Sequence, residues 1–238
     1  MLYLVATPIG NREDITVRAL KTLRQVDIIF AEDTRKTRVF LDLFHIKKPI
    51  DSYFEQNQKE KAAKIVQLIQ HGKKIALVTE AGTPSISDPG FYAVRECIRH
   101  NLEVEIIPGV SAVTAAMAVS GLAPDRFFFA GFLPRKPGKR ANALQELLAI
   151  NATVVLFESP QRMKQLLNEL VALVPERKIV IAKEMTKIHQ QVIRRLHVRD
   201  ACEELAEGSF KGEYTVLIEG NTRKLRLQDP AGDEEADE

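Results

Sequence analysis

Two α/β domains are what this sequence predicts, on three observations. Short apolar runs alternate with amphipathic segments along most of the chain. A break at Gly121-Leu122-Ala123-Pro124 interrupts that alternation, which then restarts. Unusual Gly-, Pro- and Ser-rich stretches follow the apolar runs, and open α/β sheets bind ligands beyond the carboxyl ends of their strands.

In the first half the strand candidates are residues 2–6, 28–31, 50–53, 75–79 and 104–107. Helical patterns separate them at 15–26, 36–44, 58–71, 91–101 and 111–119. In the 58–71 segment, Ala62, Ile65, Val66 and Ile69 fall on one face at helical spacing, and Gly72 supplies the stop. Strands alternating with helices predict a parallel-rich sheet covered on both faces. In the second half the strand candidates are 127–129, 154–157, 179–182, 192–196 and 214–218, with helices at 141–150, 161–174 and 199–207. The expected boundaries are 1–119 for an N-terminal domain, 120–224 for a C-terminal domain and 225–238 for a disordered acidic tail. A single eight-stranded sheet is the alternative.

The chain has 238 residues, 34 Lys+Arg and 32 Asp+Glu, for a net charge of +2. That near-neutral value conceals an uneven distribution. Residues 228–238 hold six acids and no base; without them 34 bases face 26 acids, and the body is +8. A moderately basic body admits a phosphate-rich partner. No apolar stretch approaches the roughly 18–20 residues of a membrane span. Met1 leads directly into Leu-Tyr-Leu-Val-Ala, so no signal peptide is expected. Cys97 and Cys202 lack metal or redox spacing and read as small apolar residues, consistent with a reducing cytoplasm. The five histidines form no HxxxH or HExxH pattern, so no metal is expected.

Four regions after strands are candidates for chemistry. Thr7-Pro8-Ile9-Gly10-Asn11 is a stiff turn that matches neither GxGxxG nor a Walker A loop. Residues 80–90 hold two Gly, two Pro, two Ser and one Thr, where a plain crossover turn needs about two to six residues. Rigid prolines and small side chains suit a preformed cradle. Pro108-Gly109-Val110-Ser111 opens a helix whose free N–H groups can meet ligand acceptors. The fourth region gathers Phe157–Arg162, Ala182–Lys187 and Lys211–Thr215.

Thr7–Asn11, Ala31-Glu32-Asp33-Thr34-Arg35, Glu80–Pro84 with Asp88-Pro89-Gly90, Pro108-Gly109, Asp125-Arg126-Phe127 with Gly131–Pro134, Phe157-Glu158-Ser159 and Lys211-Gly212-Glu213 occur in that order. As an ordered set they resemble the tetrapyrrole-methylase superfamily and, within it, the ribosomal RNA small-subunit methyltransferase I branch. The resemblance spans about residues 1–220. It implies an interdomain cleft holding S-adenosylmethionine, a homodimer, and 2′-O-methylation of a decoding-centre cytidine in small-subunit ribosomal RNA, either naked or within the 30S subunit. It assigns cofactor contacts to Pro8, Ala81, Gly82, Thr83, Pro84, Ile86, Pro108, Gly109, Ser111, Ala112, Phe157, Met185, Tyr214 and Thr215.

Methyl transfer from a sulfonium is an in-line displacement that needs alignment more than a metal, and alignment alone can supply roughly 7–11 kcal/mol. The ribose 2′-OH is a weak nucleophile, so a base is expected to help. Glu184, Lys183 and Asp88 are the candidates, with Glu184 first because it follows an apolar strand. RNA phosphates require cations. The clusters are Arg35, Lys36 and Arg38; Arg135, Lys136, Lys139 and Arg140; and Arg194 with Arg195, while Arg12 and Arg35 lie just past early strands. With Pro134, Pro137 and Gly138, the 135–140 stretch reads as an exposed flexible loop. Two readings compete with RNA methylation: methylation of a tetrapyrrole or corrin, and RNA binding without catalysis.

Overall fold

The computed structural model describes residues 1–205 and 210–221. The proposed acidic tail, and the end of the last predicted helix, lie outside the described residues. Two compact units are present: Met1–Ala115 with Met185–Gln190, and Ala116–Glu184 with the residues from Gln191 onward.

Unit 1 runs β1 (Leu2–Val5), α1 (Val17–Gln25), β2 (Ile28–Ala31), α2 (Thr34–Leu43), β3 (Ile50–Ser52), α3 (Gln58–Gln70), β4 (Ile75–Val78), α4 (Phe91–Arg99), β5 (Val104–Ile107) and the start of α5 (Ala112–Ser120). Its five strands are all parallel, in the order β3-β2-β4-β1-β5. Strand alternation divides the side chains between two cores. Leu2, Leu4, Phe30, Ile75 and Leu77 pack against α3 and α4, through Ala62, Ile65, Val66, Ile69, Ala93 and Cys97. Val5, Ile29, Ala31, Ala76 and Val78 pack against α1 and α2, through Ala19, Leu23 and Leu41. Both faces are therefore covered, as near-continuous apolar strands require.

Local signals fix the helix ends. Thr16 Oγ1 accepts the Ala19 N–H at 3.0 Å and caps α1. Asp33 Oδ1 accepts the N–H groups of Arg35 and Lys36 at 2.8 and 3.2 Å and caps α2. Gly72 follows α3 at φ 80°, the left-handed stop the sequence predicts. Tyr53 reaches across to accept the Ala93 N–H at 3.0 Å, satisfying a first-turn donor of α4.

Unit 2 holds β6 (Phe127–Phe132), α6 (Pro137–Ala149), β7 (Thr153–Glu158), α7 (Pro160–Leu173), β8 (Lys178–Lys183), β9 (Val192–His197), α8 (Val198–Leu205) and β10 (Tyr214–Ile218). Its strand order is β6-β7-β10-β8-β9. Only β6 and β7 are parallel, because only they are joined through a crossover helix and neighbour each other; the other three pairings are antiparallel. Two separate five-stranded sheets replace the single-sheet alternative. The main core of this unit joins Val154, Leu156, Ile179, Ile181, Val216 and Ile218 to Leu144, Leu147, Met163, Leu166, Leu170, Val198 and Ala201. Among the described residues no helix is long and apolar enough to cross a membrane.

The expected loop at residues 135–140 is corrected. Pro137 occupies the first turn of α6, where its missing N–H costs nothing and its fixed φ suits a helix. The helix starts four residues earlier than the apolar periodicity indicates.

Candidate functional site

Three loops leave the carboxyl ends of β4, β1 and β5, which are adjacent in the sheet. They are fastened to one another through backbone. Thr7 and Gly82 exchange hydrogen bonds of 2.9 and 3.0 Å, and Thr7 Oγ1 donates to the Thr79 carbonyl at 3.3 Å. Gly82 stands at φ 79°, so a side chain there would be strained. A Cβ on Gly109 would sit 2.9 Å from the Cβ of Ala6, so the β5 loop presses on the end of β1. A Cβ on Gly10 would sit 2.6 Å from the Met185 carbonyl oxygen and 2.8 Å from the Lys187 nitrogen. The Asn11 N–H donates to Thr186 Oγ1 at 3.0 Å. Pro8, Ala81, Gly82, Thr83, Pro84, Ile86, Asp88, Pro108, Gly109 and Ser111 thus lie on loops at one sheet edge, with Ala112 opening α5 and Met185 beside Gly10.

Within the 81–86 stretch the structure singles out one residue that its composition does not. Ser85 has φ 73°, and its buried Oγ has no hydrogen-bond partner. Gly90 leaves the space that hydroxyl occupies, since a Cβ there would lie 2.2 Å from it. A buried hydroxyl without a partner costs free energy that a bound polar group can return. Composition shows two serines in the loop; which one is buried is a tertiary fact.

Charges collect at the neighbouring strand ends. Glu80, after β4, pairs with Lys36 at 2.5 Å. Burial, then the charge of Glu80, raises the carboxyl of Glu32 above its ordinary range, while the Glu80 N–H and Lys36 act in the opposite direction. Lys36 therefore carries a carboxylate partner. Arg35 is 92% exposed and 3.7 Å from Asp33. Arg38 is exposed, and its guanidinium donates to the Lys48 carbonyl at 3.1 Å. Arg12 is exposed in a short 3-10 turn, Arg12–Asp14.

Unit 2 brings its own predicted residues together. Thr215 pairs with Phe157 on one side and Ala182 on the other, and Tyr214 pairs with Lys183. Tyr214 and Thr215 are buried. Burial raises the Tyr214 phenol, opposed by the Lys211 backbone. Phe157 meets Phe129 and Phe132 with ring centroids 4.9 and 5.6 Å away. Glu184 is 6% exposed at φ 51°. Its N–H donates to the Glu213 carbonyl at 2.9 Å, and its Oε1 accepts the Glu213 N–H at 2.7 Å. Gly212 is closely packed on that carboxylate, where a Cβ would lie 2.4 Å from Oε1.

Arg140 is corrected from the phosphate-binding set. Its side chain is 1% exposed. It bonds Glu158 at 2.9 Å and both oxygens of Glu169 at 2.8 and 3.1 Å. Glu158 also accepts Arg162 at 2.6 Å and the Ser159 N–H at 2.8 Å. The helical start at Pro137 turns Arg140 inward, while Arg135, Lys136 and Lys139 stay exposed. The 194–195 pair is likewise occupied: Arg194 bonds Glu204 at 2.7 Å, and Arg195 donates to the Ser120 and Val119 carbonyls. Among the described residues no group of His, Cys, Asp and Glu is arranged to hold a metal ion.

Residues 1–199 match the family described as Tetrapyrrole (Corrin/Porphyrin) Methylases. A protein of Thermotoga maritima named ribosomal RNA small subunit methyltransferase I is 48% identical over 219 residues, covering 92% of this chain and 98% of the relative. A protein of the same name from Mesorhizobium japonicum is 48% identical over 219 residues, covering 91% of this chain and 74% of the relative. Among solved structures, uroporphyrin-III C-methyl transferase from Thermus thermophilus, complexed with S-adenyl homocysteine, superposes with a TM-score of 0.64 at 20% identity, over 95% of this chain and 99% of that one. A family match over most of the chain, and relatives this similar across nearly its whole length, have one reading: the protein belongs to the tetrapyrrole methylase family.

Proposed function

We propose that this chain transfers the methyl group of S-adenosylmethionine to small-subunit ribosomal RNA, at the ribose 2′-oxygen of a decoding-centre cytidine. One observation carries the reading: at 48% identity the chain covers 98% of a relative that bears the name of that enzyme. The basic body, and the exposed cations Arg12, Arg35, Lys36, Arg38, Arg135, Lys136 and Lys139, support an RNA partner. A homodimer acting in the cytoplasm completes the reading.

The residues present suit the cofactor. In the unit 1 cradle Gly10 and Gly109 let Met185, Lys187 and Ala6 pack close, which holds the loops together, and the buried Ser85 hydroxyl is a polar group suited to a polar ligand atom. We assign Pro8, the 81–86 loop, Pro108, Gly109, Ser111, Ala112 and Met185 to holding it. When bound, S-adenosylmethionine supplies a methyl group already activated by its sulfonium. The remaining work belongs to the protein. The strapped loops hold one geometry before binding, so little reorganisation is needed at the moment of transfer. A base that takes the ribose hydroxyl proton completes the chemistry, and Glu184 is assigned that part ahead of Lys183 and Asp88.

Incubating the protein with methyl-labelled S-adenosylmethionine and, separately, 30S subunits, naked small-subunit RNA and a corrinoid precursor tests the reading. Label in a ribose 2′-O-methyl group of RNA is expected. Label in the corrinoid, or none in any acceptor despite cofactor binding, overturns it.

A further inference from the structure

The edge strand of unit 2 carries a row of aromatic rings that the cofactor site does not account for. In β6 the register with β7 pairs Phe127 with Thr153, Phe129 with Val155 and Phe132 with Phe157. Registered partners in a parallel pair point to the same face. Simple alternation would send Phe132 to the face opposite Phe127. A bulge between Phe129 and Gly131, with Gly131 at φ 64°, returns it to the same face. Phe127, Phe129, Phe132 and Phe157 therefore share one face, and the unit's main core, built on Val154 and Leu156, occupies the other. Phe157 touches Phe129 and Phe132, so the row continues outward from a residue assigned to the cofactor.

The rings at both ends of β6 are open. Phe127 is 41% exposed and Phe132 is 54% exposed. Only one side of β6 is paired, because it ends the sheet. The chemistry around the row is mostly of one sign. From Asp125 to Arg140 the sequence holds one acid, Asp125, against five bases, of which Arg126, Arg135, Lys136 and Lys139 are exposed. Aromatic faces set among an excess of cations suit a chain of flat bases joined by phosphates.

We infer that this face of β6 is a stacking platform for single-stranded RNA, with Phe127 and Phe132 as the base-contacting rings and Arg126, Arg135, Lys136 and Lys139 on the phosphates. The inference rests on the RNA reading above and gives the substrate a second contact beyond the reacting nucleotide. An apolar edge can also mate with a second copy of this chain, and the cations decide against that: like charges would be brought face to face.

Phe127→Leu combined with Phe132→Leu tests it, because leucine keeps the apolar volume and removes the ring face. The probe is a single-stranded oligoribonucleotide, and the measurements are its affinity, cofactor affinity and sedimentation. Stacking predicts roughly a tenfold or greater loss of oligoribonucleotide affinity. Cofactor affinity and sedimentation stay unchanged, and the double tyrosine variant binds as the wild type does. Phe128→Ala is the control: Phe128 is 46% exposed on the same strand but registers with Val154 on the opposite face, and it should bind normally. Wild-type affinity in the leucine variant overturns the platform. So does an equal loss in Phe128→Ala, a shift from dimer to monomer, or a parallel loss of cofactor affinity. A wild-type protein that methylates RNA while the leucine variant is unaffected leaves the proposed function standing and removes this inference alone. A wild-type protein with no RNA affinity removes both.

Discussion

Glu184 has two possible employments, and a single substitution separates them. Its Oε1 anchors the Glu213 N–H, a part that glutamine can also play through its carbonyl oxygen. Glu184→Gln should keep the fold and cofactor affinity and slow single-turnover methylation by at least the roughly hundredfold expected of a lost general base. Unchanged single-turnover kinetics would leave Glu184 as an anchor only. Arg140 permits a sharper stability statement. Removing one partner of a buried ion pair strands the other, at about 3–5 kcal/mol. Arg140→Ala leaves the fully buried Glu158 with Arg162 as its remaining cation, so urea unfolding should show a loss below that figure, about 1–3 kcal/mol, with the RNA salt dependence unaltered. Glu32 supplies a pH dependence. Its folded carboxyl is raised, so its ionisation opposes folding, and the penalty appears as pH rises through the folded value. Glu32→Gln should therefore be more stable than wild type at neutral pH, and the difference should vanish below the ordinary carboxylate range. A difference that persists at low pH would refute this origin.

At the scale of elements, the sequence discloses whatever periodicity and punctuation can carry. The strands over 28–31, 104–107 and 214–218 match their predicted bounds, and helix 58–70 presents Ala62, Ile65, Val66 and Ile69 inward as their spacing requires. Most bounds differ by one or two residues, and two elements extend three or four residues beyond their patterns. In β6 the alternation stops at Phe129 because a bulge resets it, and only the β7 register reveals that three more residues continue the strand. In α6 the first turn, Pro137–Arg140, has no apolar residue facing a core apart from the aliphatic stem of a buried arginine. A charged residue that folds inward is invisible to hydropathy. That misreading changes the electrostatic expectation. Neutralising Arg135, Lys136 and Lys139 together should weaken RNA binding and lower the slope of log affinity against log salt by roughly 2, the value for three contacts to a single strand. Adding Arg140 to the set should damage stability with no further change in slope.

Across the whole molecule, the glycine- and proline-rich loops after β1, β4 and β5 were legible and their mutual fastening was not. Loop composition points to residues 7–11, 80–90 and 108–111. Nothing in it shows that Thr7 locks to Gly82 or that Gly109 rests on Ala6, because both contacts join residues more than seventy positions apart. The segment Met185–Gln190 is the clearest case. Read linearly it belongs to the second half, yet it is part of unit 1, where the backbone of Met185 and Lys187 fits against Gly10.

That late segment sets a timetable for birth on the ribosome. Chains emerge amino terminus first, at about 5–20 residues per second, and early domains commonly fold while the rest is still being made. Here the first sheet can assemble once residue 115 is out, but its Gly10 turn waits for residues 185–187. Roughly 4–14 s of synthesis separate the two events at that rate. Until then the turn beside the ligand cradle is an open slot, and the nascent protein has a sheet without a finished binding edge. A ribosome-stalled chain ending before residue 185 should thus resist protease across the β1–β5 sheet while failing to retain the cofactor, and protection of both at that length would contradict the timetable.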